Sequence, residues 1–162
     1  MAEQELEIGQ VVPDFTLPAS SGASVTLSEF RGKKVVIYFY PKDQTPGCTQ
    51  EACDFRDRTE YFAQHGAVLL GISGDDIKSH NRFAGKYELP FPLLSDEDHS
   101  VSRMFGVWQI KKMYGREFEG IARSTFLLDE EGRLVREWRK VKVKNHAEEV
   151  LEAVRQHETE RK

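Results

Sequence analysis

Two cysteines, Cys48 and Cys53, are the residues of this chain best suited to redox chemistry, and the first closes the segment Thr45-Pro46-Gly47-Cys48. Thr is an acceptable N-cap and Pro is favoured at the first helical position. A helix starting there puts Cys48 in its first turn, among backbone N–H groups that have no intrahelical partner. A thiolate in that position is stabilised by those donors and by the positive end of the helix dipole. The plainer reading makes Pro46-Gly47 a turn and Cys48 a small buried hydrophobe. For an isolated cysteine the plainer reading is favoured, but Cys48 has a companion five positions on.

On an intact α-helix an offset of five is about 140° round the axis and about 7.5 Å along it, a Cα separation of roughly 8.7 Å. A disulfide tolerates at most about 7 Å. Either Cys48 and Cys53 never bond, or they bond after the first turns unwind. Unwinding has a use, because a nucleophilic thiol needs a rigid site to attack and a mobile one to be resolved. Gly47, a poor helix former, eases it. Metal binding is a weaker idea: the spacing exceeds Cys-x2-4-Cys, and His65, His80, His99, His146 and His157 form no ligand pair at helical spacing. Each histidine reads as a surface residue or a cap. No Cys-x-x-Cys is present, which argues against a general disulfide oxidoreductase, while a Cys-His hydrolase stays open.

The elements that must position these residues are legible as alternating patterns. Val35 to Tyr40 is an apolar run stopped by Pro41, as a strand buried on both faces requires. Thr45 to His65 reads as one amphipathic helix, with Ala52, Phe55, Thr59, Phe62 and Ala63 on one side and Gly66 as stop. A strand at 67–73, a helix at 77–87, a short strand at 91–95 and a brief helix at 100–105 follow. Strands at 125–129 and 134–138 flank Glu130-Glu131-Gly132-Arg133 as a hairpin, and a last helix covers His146 to Gln156. This order predicts an α/β sandwich, a mixed central sheet with helices on both faces.

With 162 residues, 39% hydrophobic and 31% charged, the chain has enough apolar material for one full core, and wholesale disorder is excluded. The expected organisation is one domain over residues 8–157, with flexible ends at 1–7 and 158–162. A net charge of -4 gives no general pull toward nucleic acid or anionic membrane. The longest apolar run is far below the ~20 residues of a membrane span, and Met1-Ala2-Glu3-Gln4-Glu5 is acidic where a signal peptide is basic. A soluble, cytoplasmic protein is expected, with neither nucleic acid nor membrane as partner. Two cysteines are too few for a stapled secreted framework.

Pro41-Lys42-Asp43-Gln44-Thr45-Pro46-Gly47-Cys48 resembles the Pro-x-x-x-Thr-x-x-Cys active-site motif of peroxiredoxins. The five-residue step to Cys53 is similar to the bacterioferritin-comigratory-protein class, or peroxiredoxin Q, in which the resolving cysteine shares a helix with the peroxidatic one. The likeness extends through Phe39-Tyr40 before the motif, Gly106-Val107-Trp108, Gly120 to Asp129 and Asn145-His146, so that it covers about Gly9 to Gln156.

The resemblance implies a thioredoxin-like three-layer sandwich and a peroxidase that reduces hydrogen peroxide and small organic hydroperoxides to water and alcohols. It makes Cys48 the peroxidatic cysteine, oxidised to a sulfenic acid, and Cys53 the resolving one, joined to it in an intramolecular disulfide. Arg123 would favour the thiolate and donate to the peroxide oxygens. Its plain alternative is a surface arginine, but beside an apolar strand an unpaired charge is costly. Thr45 would orient the peroxide, in competition with its capping role, and Pro41 would shield the thiolate as well as end a strand. No metal, flavin, haem or other cofactor is implied. Thioredoxin or a glutaredoxin would reopen the disulfide. The class is often monomeric, and a dimer is compatible. A rival from another class is a peroxide sensor or redox-switched chaperone, which uses the same disulfide without steady turnover.

Overall fold

The computed structural model describes residues 6–20 and 22–160, leaving aside the side chains of Met113 and of residues 158–160. In chain order it comprises β1 (Thr16–Pro18), β2 (Ser24–Thr26), a 3-10 turn (Leu27–Phe30), β3 (Lys34–Phe39), α1 (Pro46–Arg56), α2 (Thr59–Gln64) and β4 (Ala67–Ser73). There follow α3 (Ile77–Tyr87), β5 (Leu93–Ser95), α4 (Ser100–Met104), β6 (Trp108–Met113), β7 (Arg116–Ile121), β8 (Ser124–Leu128), β9 (Leu134–Trp138) and α5 (His146–Glu160).

The apolar run that begins at Val35 becomes the centre of the sheet. Every residue of β3 is buried. The strand order is β5-β4-β3-β8-β9, with β3 parallel to β4 and antiparallel to β8. Side chains alternate across a strand, and β3 therefore feeds two cores. Val35, Ile37 and Phe39 pack with Leu27, Val101 and Phe105 on the α4 face. Val36, Tyr38 and the following Tyr40 pack with Phe55 of α1, Phe62 of α2, Phe83 of α3 and Val150 of α5 on the other. This is the expected α/β sandwich, a mixed sheet between helical layers, with most of the helical cover on the side that carries Cys48.

Three features depart from the sequence reading. The helix expected from Thr45 to His65 is two helices, broken at Asp57-Arg58. The N–H of Arg58 and the hydroxyl of Thr59 both turn back to the Phe55 carbonyl, at 3.0 Å each, and this local bonding competes with helical continuation. The hairpins β1–β2 and β6–β7 have no counterpart in the pattern. The second turns through Tyr114 and Gly115, both at positive φ, the geometry of a two-residue hairpin turn. Third, α5 runs to Glu160, and Leu6 is buried in the core. Of the ends expected to be flexible, residues 1–5 and 161–162 lie outside the described residues. Among the described residues no helix is long and apolar enough to cross a membrane.

Candidate active site

The site is built where β3 stops and α1 begins. The connecting residues make one left-handed step, at Gln44 (φ 61°), before Thr45 takes the extended conformation of an N-cap and Pro46 enters at the first helical position. The Thr49 N–H makes the first helical bond, to the Thr45 carbonyl at 2.8 Å. Cys48 therefore sits in the first turn, as its sequence context predicts. The Thr45 hydroxyl does not cap the helix; it donates to the Lys42 carbonyl at 2.8 Å. The N–H groups of the first turn consequently receive no hydroxyl cap from Thr45.

Cys48 is 1% exposed, Cys53 is partly buried, and both are free thiols. They stand on an intact α1, the helical state in which the Cα spacing forbids a disulfide. Arg123, between β7 and β8, reaches across to the helix. Its Nη2 donates to Cys48 Sγ at 3.3 Å and its Nη1 donates to Glu51 Oε1 at 2.6 Å. The chain at Arg123 is itself fixed, since the Val141 N–H bonds to its carbonyl at 2.9 Å. Gly47 makes room for the guanidinium: a Cβ there would lie 3.2 Å from Arg123 Nη2. Gly47 thus has a packing reason as well as a conformational one.

Glu51 is absent from the sequence reading, although its place three residues after Cys48, on the same helix face, is the signal that would have found it. It is 1% exposed, and burial pushes its carboxyl up to about 7 against the opposing pull of Arg123. Its Oε2 has no hydrogen-bond partner among the described residues, and neither has the buried hydroxyl of Tyr38. Burial first, then Glu51 and Cys48, holds the Tyr38 phenol well above its ordinary range. For Arg123, burial opposes the charge, but Glu51 and Cys48 outweigh it and push its pKa up. The guanidinium is thus locked in its charged form between a carboxyl group and a sulfur.

An open recess of about 480 Å³ leads to this arginine, lined by Lys111, Phe118, Ala122, Lys140 and Val141 among others. Burial, with Arg123 second, lowers the Lys111 pKa, while Cys48 acts to raise it. Pro41 is exposed at the end of β3 and borders a second depression with Lys42, Gly74, His99 and Lys111. The structure therefore brings Cys48 and Arg123 into contact, keeps Cys53 on the same helix, and sets Thr45 at its start.

Two of the histidines read as surface residues or caps are buried. His146, at the start of α5, pairs its Nε2 with the Thr125 hydroxyl at 2.8 Å, and burial with Arg123 lowers its pKa to about 4. His80 is 0% exposed and lies with Asp43 and Asp75, their ligand-type atoms within 4.8 Å of one another. Spacing along one helix does not reveal that grouping, because Asp43 and Asp75 come from two different loops.

A buried thiol in the first turn of a helix, under an arginine held by a glutamate, on a mixed sheet of this order, is an arrangement suited to thiol chemistry. Comparison with known proteins agrees. The AhpC/TSA family model matches residues 8–137. Peroxiredoxin Bcp of Bacillus subtilis is 53% identical over 150 residues, 93% of this chain and 96% of the relative. Peroxiredoxin Bcp of Xanthomonas campestris is 47% identical over 157 residues, 97% and 98% of the two chains. The solved structure of the Xanthomonas campestris bacterioferritin comigratory protein, studied for alkyl peroxide reduction, superposes with a TM-score of 0.88 at 47% identity, covering 94% of this chain and 98% of that one. A cysteine-to-serine mutant of Xylella fastidiosa PrxQ gives 0.90 at 40% identity, covering 95% and 98%. The chain belongs to the AhpC/TSA family and, within it, to the Bcp/PrxQ peroxiredoxins.

Proposed function

We propose that Cys48 is the peroxidatic residue of this peroxiredoxin and Cys53 its resolving partner. The observation that carries the reading is the 3.3 Å contact from Arg123 Nη2 to Cys48 Sγ at the N-terminus of a helix that holds a second free thiol five residues on. The Cys48 thiolate attacks the terminal oxygen of a hydroperoxide; an S–O bond forms, the O–O bond breaks, and water or an alcohol leaves after taking a proton. Arg123 donates to the oxygen on which charge grows, and Glu51 keeps its fork aimed at the sulfur. Thr45 has lone pairs left for the hydroperoxide proton, and Pro41 limits water at the mouth of the site.

The sulfenic acid is resolved when the first turns of α1 unwind: Cys53 sulfur displaces the hydroxyl as water, and a Cys48–Cys53 disulfide forms. A dithiol reductant, thioredoxin or a glutaredoxin, then returns both thiols by exchange. Hydrogen peroxide and small organic hydroperoxides are the substrates, the cytoplasm is the setting, and the monomer is the working unit. The test is steady-state peroxide consumption with thioredoxin, thioredoxin reductase and NADPH. Many turnovers are expected for the native chain and none for Cys48→Ser. Arrest of the native chain after one equivalent would point instead to a sensor or a redox-switched chaperone.

A further inference from the structure

The residues just before the active-site helix are held by a buried polar joint that the reaction chemistry does not use. Asp43, two residues before Thr45, is almost fully buried, and both its carboxylate oxygens are hydrogen-bonded. Oδ1 accepts from the Tyr40 hydroxyl at 2.6 Å, and Oδ2 accepts from the Ser79 hydroxyl at 2.8 Å and faces His80 Nδ1 at 2.7 Å. The Asp43 N–H donates to Asp75 Oδ2 at 2.8 Å, an oxygen that also accepts from the Ser73 hydroxyl at 2.7 Å. His80 Nε2 lies 2.9 Å from the Leu94 carbonyl, which only accepts, so Nε2 carries a hydrogen. A neutral ring would then turn a lone pair toward the Asp43 oxygen. A hydrogen bond at 2.7 Å then requires one proton shared along the line between Nδ1 and Oδ2, out of contact with water.

This joint ties the loop after β3 to α3, β5 and the β4–α3 connection. On its far side the chain changes character: Gln44 is left-handed, and Pro46, Gly47 and Gln50 are exposed. Further along, Glu51 is buried and held by Arg123 at 2.6 Å, Ala52 is buried in the core, and Phe55 is fully buried and stacked on Tyr38 at 4.8 Å. The segment between the Asp43 joint and Phe55 contains both cysteines, and its unwinding has to release Cys48 and Glu51 from Arg123.

We propose that the Asp43–His80 pair is a positioning latch that fixes the upstream limit of helix unwinding and so sets how the Cys48 sulfenic acid divides between two fates. This rests on the roles assigned above to Cys48 and Cys53. In one fate α1 unwinds, Cys53 attacks, water leaves and the disulfide forms. In the other α1 stays folded and a second hydroperoxide oxidises the sulfenic acid to a sulfinic acid, its O–O bond breaking to release an alcohol or water. A firm latch holds Thr45 and Cys48 in the attacking geometry and lengthens the folded lifetime of the sulfenic acid. A loosened latch favours the disulfide.

The test is the ratio of sulfinic acid to disulfide, read by intact mass over graded hydrogen peroxide, on reduced protein shown to be folded. Ser79→Ala and Tyr40→Phe each remove one hydrogen bond from the carboxylate and leave the pair; His80→Gln removes the pair itself. A hydrogen bond to a buried charge is strong enough to move an equilibrium about tenfold. The sulfinic fraction is expected to fall about threefold or more in Ser79→Ala and Tyr40→Phe, and further in His80→Gln where that variant folds. Ser102→Ala, which loses a comparable bond to Asp96 on the other face of the sheet, should leave the ratio unchanged. An unchanged or increased sulfinic fraction in both hydroxyl variants overturns the latch, as does an equal fall in Ser102→Ala. A native chain that yields neither product refutes the cysteine roles themselves, which is a separate outcome.

Discussion

Replacing Glu51 by Gln tests whether the arginine over Cys48 is held at a cost in stability. The carboxyl is 1% exposed and shifted by burial from an ordinary 4.5 to about 7, even with Arg123 Nη1 only 2.6 Å away. Between those values the folded chain keeps a proton that the unfolded chain has given up. Stability therefore falls as pH rises through this window, and the loss is complete above about 7. At about 1.4 kcal/mol per pH unit, the interval corresponds to about 3 kcal/mol. Glu51→Gln retains an acceptor for Arg123 and removes the titration. The assay is guanidinium unfolding of both reduced proteins from about pH 4 to about pH 8, with native minus variant stability plotted against pH. The difference should decline by about 3 kcal/mol with a midpoint between 4.5 and 7. A flat or rising difference would show that Glu51 is ionised without penalty, and that the arginine is held at no cost in stability.

His146 supplies the opposite limb. Its pKa falls from 6.5 to about 4, so the unfolded chain takes up a proton first as pH drops, and stability is lost between those values on the acid side. The Glu51 and His146 windows overlap, and the native profile between about pH 4.5 and 6.5 should be nearly flat. Glu51→Gln should then rise with pH in that range and His146→Gln should decline; parallel profiles would refute the pairing. Gly47→Ala adds up to about 1 kcal/mol of helix propensity, equivalent to roughly fivefold less unwinding, while its Cβ crowds Arg123 Nη2 from 3.2 Å. Disulfide formation after peroxide, followed by rapid-quench alkylation, should slow by up to about fivefold. Unchanged closure would argue that α1 does not unwind during resolution.

What the sequence revealed was local, and what it hid was long-range. Cys48 was legible as a first-turn thiol because Thr45 and Pro46 carry the helix-start signal within three residues. β3 was legible because Val35 to Phe39 are uniformly apolar, the mark of a strand covered on both faces. Arg123 was placed beside an apolar strand, but its partner Glu51 is 72 positions away, and no periodicity reports such a pairing. His80 looked like a helix-surface residue because its partner Asp43 arrives from a loop 37 residues earlier. The α1–α2 break went unseen because Asp57-Arg58 contains neither Gly nor Pro. β7 was missed because its exposed residues Arg116 to Glu119 leave no apolar alternation to detect. Its turn, Tyr114-Gly115, was the one available cue.

The most direct test of the central claim is the intact mass of the native chain after one equivalent of hydrogen peroxide, compared with Cys53→Ser under the same treatment. The native chain should lose two hydrogens and resist alkylation at both cysteines, while the variant should gain one oxygen that a sulfenic acid trap captures at Cys48. If both thiols of the native chain remain open to alkylation after the peroxide is consumed, Cys48 and Cys53 do not form the proposed pair.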